Sequence, residues 1–500
     1  MAISNAEYSA WLKSSLPQYR NILVEVVVTN AGVDSTLYLT QKTYNNYIVC
    51  LKGGFNYNEQ LSIPTIPTST SIDTKVMTGS SNFTLSIGDI EVLNTDGRFD
   101  YLLDYIWTKR AIKVLIGDLR WSRSDYRTIL DGIVNKFDAK DAGTLNIIVQ
   151  DKLQQLNAPL TETKVGGTVT ALKDQIIPFV LGEVCNMSPL KVEELTYTYQ
   201  VHPGTIERII EIRNDEWVIT TASIDLANGK FTLTQLPNGT LTCSVQGHKP
   251  VGGYSDKIGT LIKYVVTQAG GANSQLLLSE VDLTSIAQAD ALYPQSVGYT
   301  NSSNDNILTC IQALAATVGG EVTISRSGLL RIVDLVTRTS VKTITAANME
   351  VNSFHPSQRL DVSGTVTLGY CKNWTVQAPV AILLVPDYHK FLFSKEFLKV
   401  TATDSTVITN YKDTSAPVEE DTYLLSLSDA TTEANRRLAF RKVQHTVYSF
   451  AGDSSCLELE LGQTVTVQHK RFGFAAGKLA VVVGLSFNWF SYTVQVSVLV

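Results

Sequence analysis

The feature that most restricts the fold is a succession of strand-like runs with almost nothing between them. AIKVLIGDL (111–119), TILDGIVNKFDA (128–139) and TLNIIVQD (144–151) follow one another across short polar joints. Their alternating and β-branched residues suit a pleated, half-buried surface, and the joints leave no room for crossover helices. Upstream, NILVEVVVT (21–29) and STLYLTQK (35–42) are separated by an Asn-Ala-Gly turn. The opening MAISNAEYSAWLKSS reads as a short helix. Ser4 and Glu7 have capping-box spacing, Tyr8, Trp11 and Leu12 form an apolar face, and Pro17 closes it. Antiparallel strands with one helix across an open end make a small barrel or sandwich, here over roughly residues 20–160. A second stretch of the same character comes late, in SGTVTLGY (363–370), LGQTVTVQH (461–469) and KLAVVVGLSFNWFSYTVQVSVLV (478–500).

NFTLSIGDIEVLNTDGRFD (82–100) carries the most detail. Phe83, Leu85 and Ile87 alternate with polar residues, whereas Ile90 and Val92 are one residue out of phase. That pattern predicts a β-bulge at Gly88-Asp89. Asp96-Gly97 then turns the chain, and Phe99, Leu102, Leu103 and Ile106 predict a short helix ending near Trp107, with Lys109 and Arg110 beyond it. Residues 64–80 are rich in Thr, Ser and Pro and predict a long loop. The middle is mixed. IPFVLGEV and LTYTYQV predict strands around Pro189, and NGKFTLTQLPNGTLTCSV predicts a hairpin turning on Pro237-Asn238-Gly239. Residues 283–292 and 306–318 predict helices, the second with Gly319 past its end. EVTISRSGLLRIVDL predicts a hairpin on Ser327-Gly328, and ATTEANRRLAF a helix burying Ala430, Ala434 and Leu438.

Patterns that carry chemistry are scarce. Asn94, Asp96, Asp100 and Asp104 lie close together, but Arg98 and Phe99 occupy the centre and Tyr105 the twelfth position of the would-be calcium loop. A turn and helix cap accounts for them. GFAAGKL (473–479) has one residue too few between its glycines for a phosphate loop, and Leu479 stands where a hydroxyl is required. The six cysteines, Cys50, Cys185, Cys243, Cys310, Cys371 and Cys456, show no metal or disulfide spacing and read as separate reduced thiols. His202, His248, His355, His389, His445 and His469 are dispersed. Glu193-Glu194 and Glu419-Glu420 read as solvated charge, and FNWFSY as packing within a terminal strand. No catalytic, cofactor-binding or metal-binding residue is therefore expected. A net charge of −6 argues against a general phosphate-backbone binder. The N-terminus lacks the apolar core of a signal peptide, and runs such as LAVVVGL are too short to span a bilayer, so synthesis in a cytoplasm is expected.

Several passages in order carry a resemblance. GDIEVLNTDGRFDYLL followed by IGD and ILDGIV resembles the N-terminal module of a family of tailed-bacteriophage tail proteins. IPFVLGEVCNMSPLKV with TYTYQVHPGTIERIIEIRNDEWVIT is similar to its central segment. GGEVTISRSGLLRI, VTLGYCKNWTVQ and LGQTVTVQHKRFGFAAGKLAVVVGL are similar to its later landmarks. That family is similar to baseplate hub proteins at the distal end of the tail tube. The resemblance implies a mainly β fold with α+β parts: two tube-like antiparallel β-barrel modules and a mixed middle. The expected division is 1–160 (helix and first barrel), 161–260 (β-rich), 261–354 (α+β) and 355–500 (second barrel, with an insertion at about 377–420). It implies a homotrimeric ring contacting a tail-tube or distal tail protein above, a tip, spike or fibre protein below, and the tape-measure protein. DNA would pass through the lumen without sequence-specific binding, in a virion assembled in the host cytoplasm. Other readings of the same residues are a tail-tip adhesion protein and, further off, a tail-associated hydrolase.

Overall fold

The computed structural model describes residues 3–14, 19–52, 56–61, 87–166, 173–193, 195–215, 217–301, 305–378, 392–412, 416–489 and 492–500. Helix α1 (Asn5–Ser14) opens the chain, and its box is closed: Ser4 N–H donates to Glu7 Oε2 at 2.8 Å, and Glu7 N–H to Ser4 Oγ at 3.2 Å. Strands β1 (Arg20–Asn30), β2 (Val33–Thr40), β3 (Ile48–Val49), β4 (Asn56–Gln60), β5 (Ile87–Leu93), β6 (Ala111–Asp118), β7 (Arg127–Asp141) and β8 (Thr144–Gln150) follow. They are hydrogen-bonded in the order β4-β5-β8-β7-β6-β1-β2-β3. The ladder then returns on itself. Leu51 bridges Val92, Lys52 N–H donates to the Glu91 carbonyl at 3.0 Å, and Leu93 N–H donates to the Cys50 carbonyl at 2.7 Å. β1 is buried along most of its length because both its faces are covered. Ile22, Val24 and Val26 enter the main core, while Leu23 packs outside against Tyr44, Leu115 and Tyr126.

The middle of the chain adds β9 (Val180–Met187), β10 (Leu190–Lys191), β11 (Thr198–Gln200), β12 (Ile206–Asn214), β13 (Trp217–Val218), β14 (Thr221–Asp225), β15 (Lys230–Leu233) and β16 (Leu241–His248). Helices α2 (Ile258–Gln268) and α3 (Leu283–Leu292) come next, then β17 (Gly298–Thr300), helix α4 (Ile307–Ala316), β18 (Glu321–Ile324) and β19 (Leu330–Val333). Two sheets result, β13-β12-β16-β9-β17 and β10-β11-β15-β14, sharing a core of Val184, Val201, Phe231 and Val245. The helices bury Leu261, Ile262, Ile311 and Leu314 in a second core.

The last span holds β20 (Lys342–Thr345), β21 (His355–Arg359), β22 (Thr365–Tyr370), β23 (Leu398–Thr403), β24 (Val418–Asp421), β25 (Thr446–Gly452), β26 (Thr464–Gln468), β27 (Lys478–Asn488) and β28 (Thr493–Leu499), with helices α5 (Ser405–Tyr411) and α6 (Leu427–Arg441). β20-β26-β27-β28-β25-β21 form a second ladder. It too turns back: Met349 bridges Gly452, and Glu350 N–H donates to the Ala451 carbonyl at 2.8 Å. β4 joins the two ladders. It pairs with β5 and, from Gln60↔Gly484 to Asn56↔Asn488, with β27. β27 is long enough to carry β26 on residues 478–481 and β4 on residues 484–488 of one edge, with β28 along the other. The outcome is one 14-stranded sheet over one core, to which Ile112 and Ile147 come from the first ladder and Val465, Phe474 and Val496 from the second. Each such fully buried side chain contributes about 1.5–3 kcal/mol, so parting the ladders is costly.

Several expectations are corrected. β5 carries no bulge: Ile87–Leu93 stays in step with Gln150–Thr144. Gly88, Ile90 and Val92 share the inward face, so the alternation from Ile90 on continues that of the described strand without a break. The register shifts lie instead in β7, at Ile129 against β6 and after Val134 and Ala139 against β8. Residues 82–86 and the loop expected at 64–80 lie outside the described residues, as does Pro17. The helix expected near 99–107 is a five-residue 3-10 turn, Asp100–Asp104. With three residues per turn it buries Phe99 and Leu102 but leaves Leu103 and Ile106 exposed. β15 and β16 do not form a hairpin; they belong to different sheets. The Pro-Asn-Gly turn is instead held by the β12–β13 corner, where Gly239 N–H donates to Asn214 Oδ1 at 2.9 Å and Thr240 N–H to Asp215 Oδ1 at 2.7 Å. β22 leaves the large sheet and pairs with β23 and β24 under α6. Helix α2 adds to the elements expected above.

Candidate functional site

Among the described residues, the loops singled out by sequence are held by ordinary turn and core contacts. Asn94 is buried in its turn: its amide donates to Asp100 Oδ1 at 2.6 Å, and its Oδ1 accepts from Phe99 N–H at 2.9 Å. Asp96 lies exposed beside Arg98. In GFAAGKL, Phe474 is fully buried between turns at Gly473 and Gly477, and Trp489 and Phe487 are core residues. Among the described residues, no group of three His, Cys, Asp or Glu side chains could hold a metal ion. No described helix is long and apolar enough to cross a membrane.

What folding does assemble is a set of buried polar joints between units. The first is at the tip of the β18–β19 hairpin. Gly328 adopts φ +80°, and a Cβ there would meet Asp131 Cβ at 2.9 Å, so only glycine lets the tip press onto β7. Asp131 N–H donates to the Arg326 carbonyl at 3.0 Å. The Arg326 guanidinium crosses to the second ladder, where it donates to the carbonyls of Leu457 and, at 2.5 Å, Leu459, and lies 4.7 Å over Phe487. Lys152 sits between Asp131 (3.0 Å) and Glu280 (2.7 Å), and Arg331 pairs with Glu460 at 2.6 Å. Burial alone would lower Lys152, but its two carboxylate partners hold it above the usual lysine range. Glu59 of β4 lies buried in the same region, with Oε1 unpartnered. Burial pushes its carboxyl up to about 7, against the opposing pull of Arg326.

The second joint is a histidine pair. His202 Nδ1 accepts from Val180 N–H at 3.2 Å, so its Nε2 carries the proton and donates to His248 Nδ1 at 3.2 Å. His248 Nε2 then faces Gln268 Oε1 of α2 at 3.4 Å, and Phe179 covers both rings. Burial drives His202 down to about 3. The third joint corrects the reading of Glu419-Glu420. Glu419 is exposed beside Lys399, but Glu420 is buried and accepts from Arg437 at 2.5 Å and from Arg441. Arg437 and Arg436 also grip Glu433 at 2.7 Å and donate to the carbonyls of Ala316, Thr317 and Val318 at the end of α4. Cations there satisfy carbonyls that the helix leaves open.

The spacing Glu433, Arg436, Arg437 was a readable i,i+3/i+4 signal for part of this network. Arg326, at a turn tip, and Glu59, in the polar run NYNEQ, gave no local sign of burial. The histidine pair joins residues 46 positions apart, which spacing does not reveal.

No protein-family model matches the sequence, and no curated protein matches it. Among solved structures, the chain is similar to a tail protein from Neisseria meningitidis MC58 (TM-score 0.40, 10% identity, 96% of each chain covered). It is also similar to the 43 kDa tail protein of prophage MuSo2 from Shewanella oneidensis (TM-score 0.40, 11% identity, 95% of this chain and 98% of that one). A third is prophage tail protein gp18 from Listeria monocytogenes EGD-e (TM-score 0.40, 10% identity, 95% and 94%). All three are tail proteins.

Proposed function

We propose that this chain is a structural subunit of a bacteriophage tail tip, a baseplate hub that joins the tail tube to the distal tip or fibre and surrounds the DNA path. The observation that carries the reading is the pair of self-returning ladders merged through β4 into one sheet. On this reading each ladder is a tube-like barrel module. Three chains then offer six modules to a six-fold tube, with a tail-tube or distal tail protein above, a tip, spike or fibre protein below, and the tape-measure protein inside. The sequence landmarks support the same reading, as do joints that lock units together instead of opening a cleft. The first ladder, within residues 1–160, and the second, made of β20, β21 and β25–β28, would supply the tube-facing body, with the β22–β24 unit and the insertion at about 377–420 carried on the second module. Residues 161–260 and the part of 261–354 that precedes β20 would form the outer parts. The site lies in the virion, and the role is mechanical, not catalytic. DNA transit favours a lumen poor in Lys and Arg, because a basic wall would hold the phosphate backbone.

The test is the solution mass of the purified chain by light scattering, alone and with a tail-tube or tip partner. Three copies of a 54.8 kDa chain are expected in at least one of the two runs. A monomer in both runs would overturn the ring. One feature favours a second reading, adhesion at the tail tip: Trp217 and Val218 are 59% and 60% exposed on an edge strand. Binding of host glycan or outer-membrane protein by that monomer, lost in Trp217→Ala, would support it.

A further inference from the structure

We propose that Cys185 and Cys371 are a disulfide-forming pair, a site of reversible covalent modification that staples the β9 sheet to the β22–β24 unit. The sequence separates them by 186 positions, and the fold brings their Sγ atoms to 3.9 Å. Cys185 lies in β9 and Cys371 directly follows β22. The approach is fixed by the backbone around it. Cys185 bridges Asn373 in parallel register, and Trp374 N–H donates to the Cys185 carbonyl at 3.4 Å. The Asn186 amide donates to Asn373 Oδ1 at 2.7 Å and to the Thr375 carbonyl at 2.8 Å. On the other side, Cys371 N–H donates to the Leu424 carbonyl at 2.7 Å. A disulfide closes sulfur to sulfur at about 2.05 Å, so rotation of two side chains on an already tied backbone has to cover the remainder.

Access selects the same pair. Cys185 and Cys371 are half-buried, whereas Cys50, Cys243, Cys310 and Cys456 are buried. Their protonation is divided as well: contact with the Cys185 thiol holds Cys371 below the usual thiol range, while Cys185 is pushed above it. Cys371 is therefore the attacking group. Its thiolate attacks one sulfur of a small disulfide such as oxidised glutathione, breaking that S–S bond and releasing one thiolate. Cys185 gives its proton to solvent and attacks Cys371 Sγ in the mixed disulfide, and the second small thiolate leaves and takes up a proton. Two protein thiols are oxidised and one small disulfide is reduced to two thiols. The proposal stands on this geometry and does not depend on the hub reading.

The experiment treats the native full-length chain with oxidised glutathione, alkylates the remaining thiols and maps peptides by mass spectrometry. Of six thiols, four should remain. One Cys185–Cys371 linked peptide should appear, and dithiothreitol should remove it. Cys185→Ser should leave Cys371 as a stable mixed disulfide with glutathione. Six unreacted thiols, two separate glutathione adducts without a linked peptide, or a link between other cysteines would each overturn the proposal.

Discussion

Glu59 is the residue where a single substitution should say most about how the two ladders hold together. It sits on β4, which pairs with β5 of one ladder and β27 of the other, 6% exposed and with Oε1 unpartnered. Its carboxyl titrates at about 7 in the fold against an ordinary 4.5, chiefly through burial. A raised pKa in the folded state means the stabilising contribution is complete below pH 4.5 and is lost as pH rises through 7. The loss relative to the neutral acid is about 3 kcal/mol at pH 8 and under about 1 kcal/mol at pH 5. Glu59→Gln keeps the shape of the neutral acid and removes the ionisation. The variant should therefore be stabilised by about 3 kcal/mol at pH 8 and by less than about 1 kcal/mol at pH 5. Urea unfolding followed by tryptophan fluorescence reads this directly, since Trp11 and Trp489 both lie in the shared core. Equal or greater urea sensitivity of the variant at pH 8 would refute the reasoning. It would mean that Glu59 is ionised against Arg326 and that the pair outweighs burial.

His202 should act in the opposite direction: with its pKa at about 3 against an ordinary 6.5, stability is present above 6.5 and falls with pH, by about 2 kcal/mol at pH 5. His202→Gln, which keeps an acceptor for Val180 N–H, should remove that part of the pH dependence, and identical slopes for both proteins between pH 7 and 5 would count against it. Glu420→Ala strands two buried arginines and should cost about 3–5 kcal/mol in urea unfolding, whereas Glu419→Ala, at an exposed pair, should cost less than about 1 kcal/mol. Ala31 occupies φ +49° in the two-residue β1–β2 turn with Gly32 at +81°. Ala31→Asn should raise stability by roughly 0.5–1 kcal/mol, and an unchanged or lower urea midpoint would show that the turn is not strained.

The sequence revealed strands better than their partners. Alternation in 111–151 and 478–500 marks half-buried pleats whatever they pair with, so β6, β7, β8, β27 and β28 were all legible. Partnership depends on contacts far along the chain. SGTVTLGY has the same pattern as LGQTVTVQH, yet one pairs under α6 and the other enters the large sheet. Turn chemistry was similarly half informative. Ser327-Gly328 closes a hairpin, whereas Pro237-Asn238-Gly239, with equal local promise, links two sheets because Asn214 and Asp215 hold its backbone. Phase misled once, at Gly88-Asp89, where a change of apolar alternation was read as a bulge and the strand runs on in register. The joints were least legible. Arg326, Glu59 and Glu420 carry charge, and local sequence reads charge as exposure unless a partner stands three or four residues away.

Two of those joints bear on a property of the whole molecule. If the ladders and the middle sheets unfold together, the Glu59 and His202 contributions add, and they run against each other. Glu59 weakens the fold by about 2.5 kcal/mol between pH 5 and 8, while His202 strengthens it by about 2 kcal/mol over the same range. Their sum changes by only about 0.5 kcal/mol, so these two groups leave total stability nearly flat from pH 5 to 8. A flat profile in the wild-type chain is then no sign that its buried groups are unperturbed. The two variants separate the parts: removing Glu59 should expose a loss toward acid, and removing His202 a loss toward base. Opposite slopes from two single substitutions, each in a different joint, would be hard to obtain unless both groups are buried as described and both units unfold as one body.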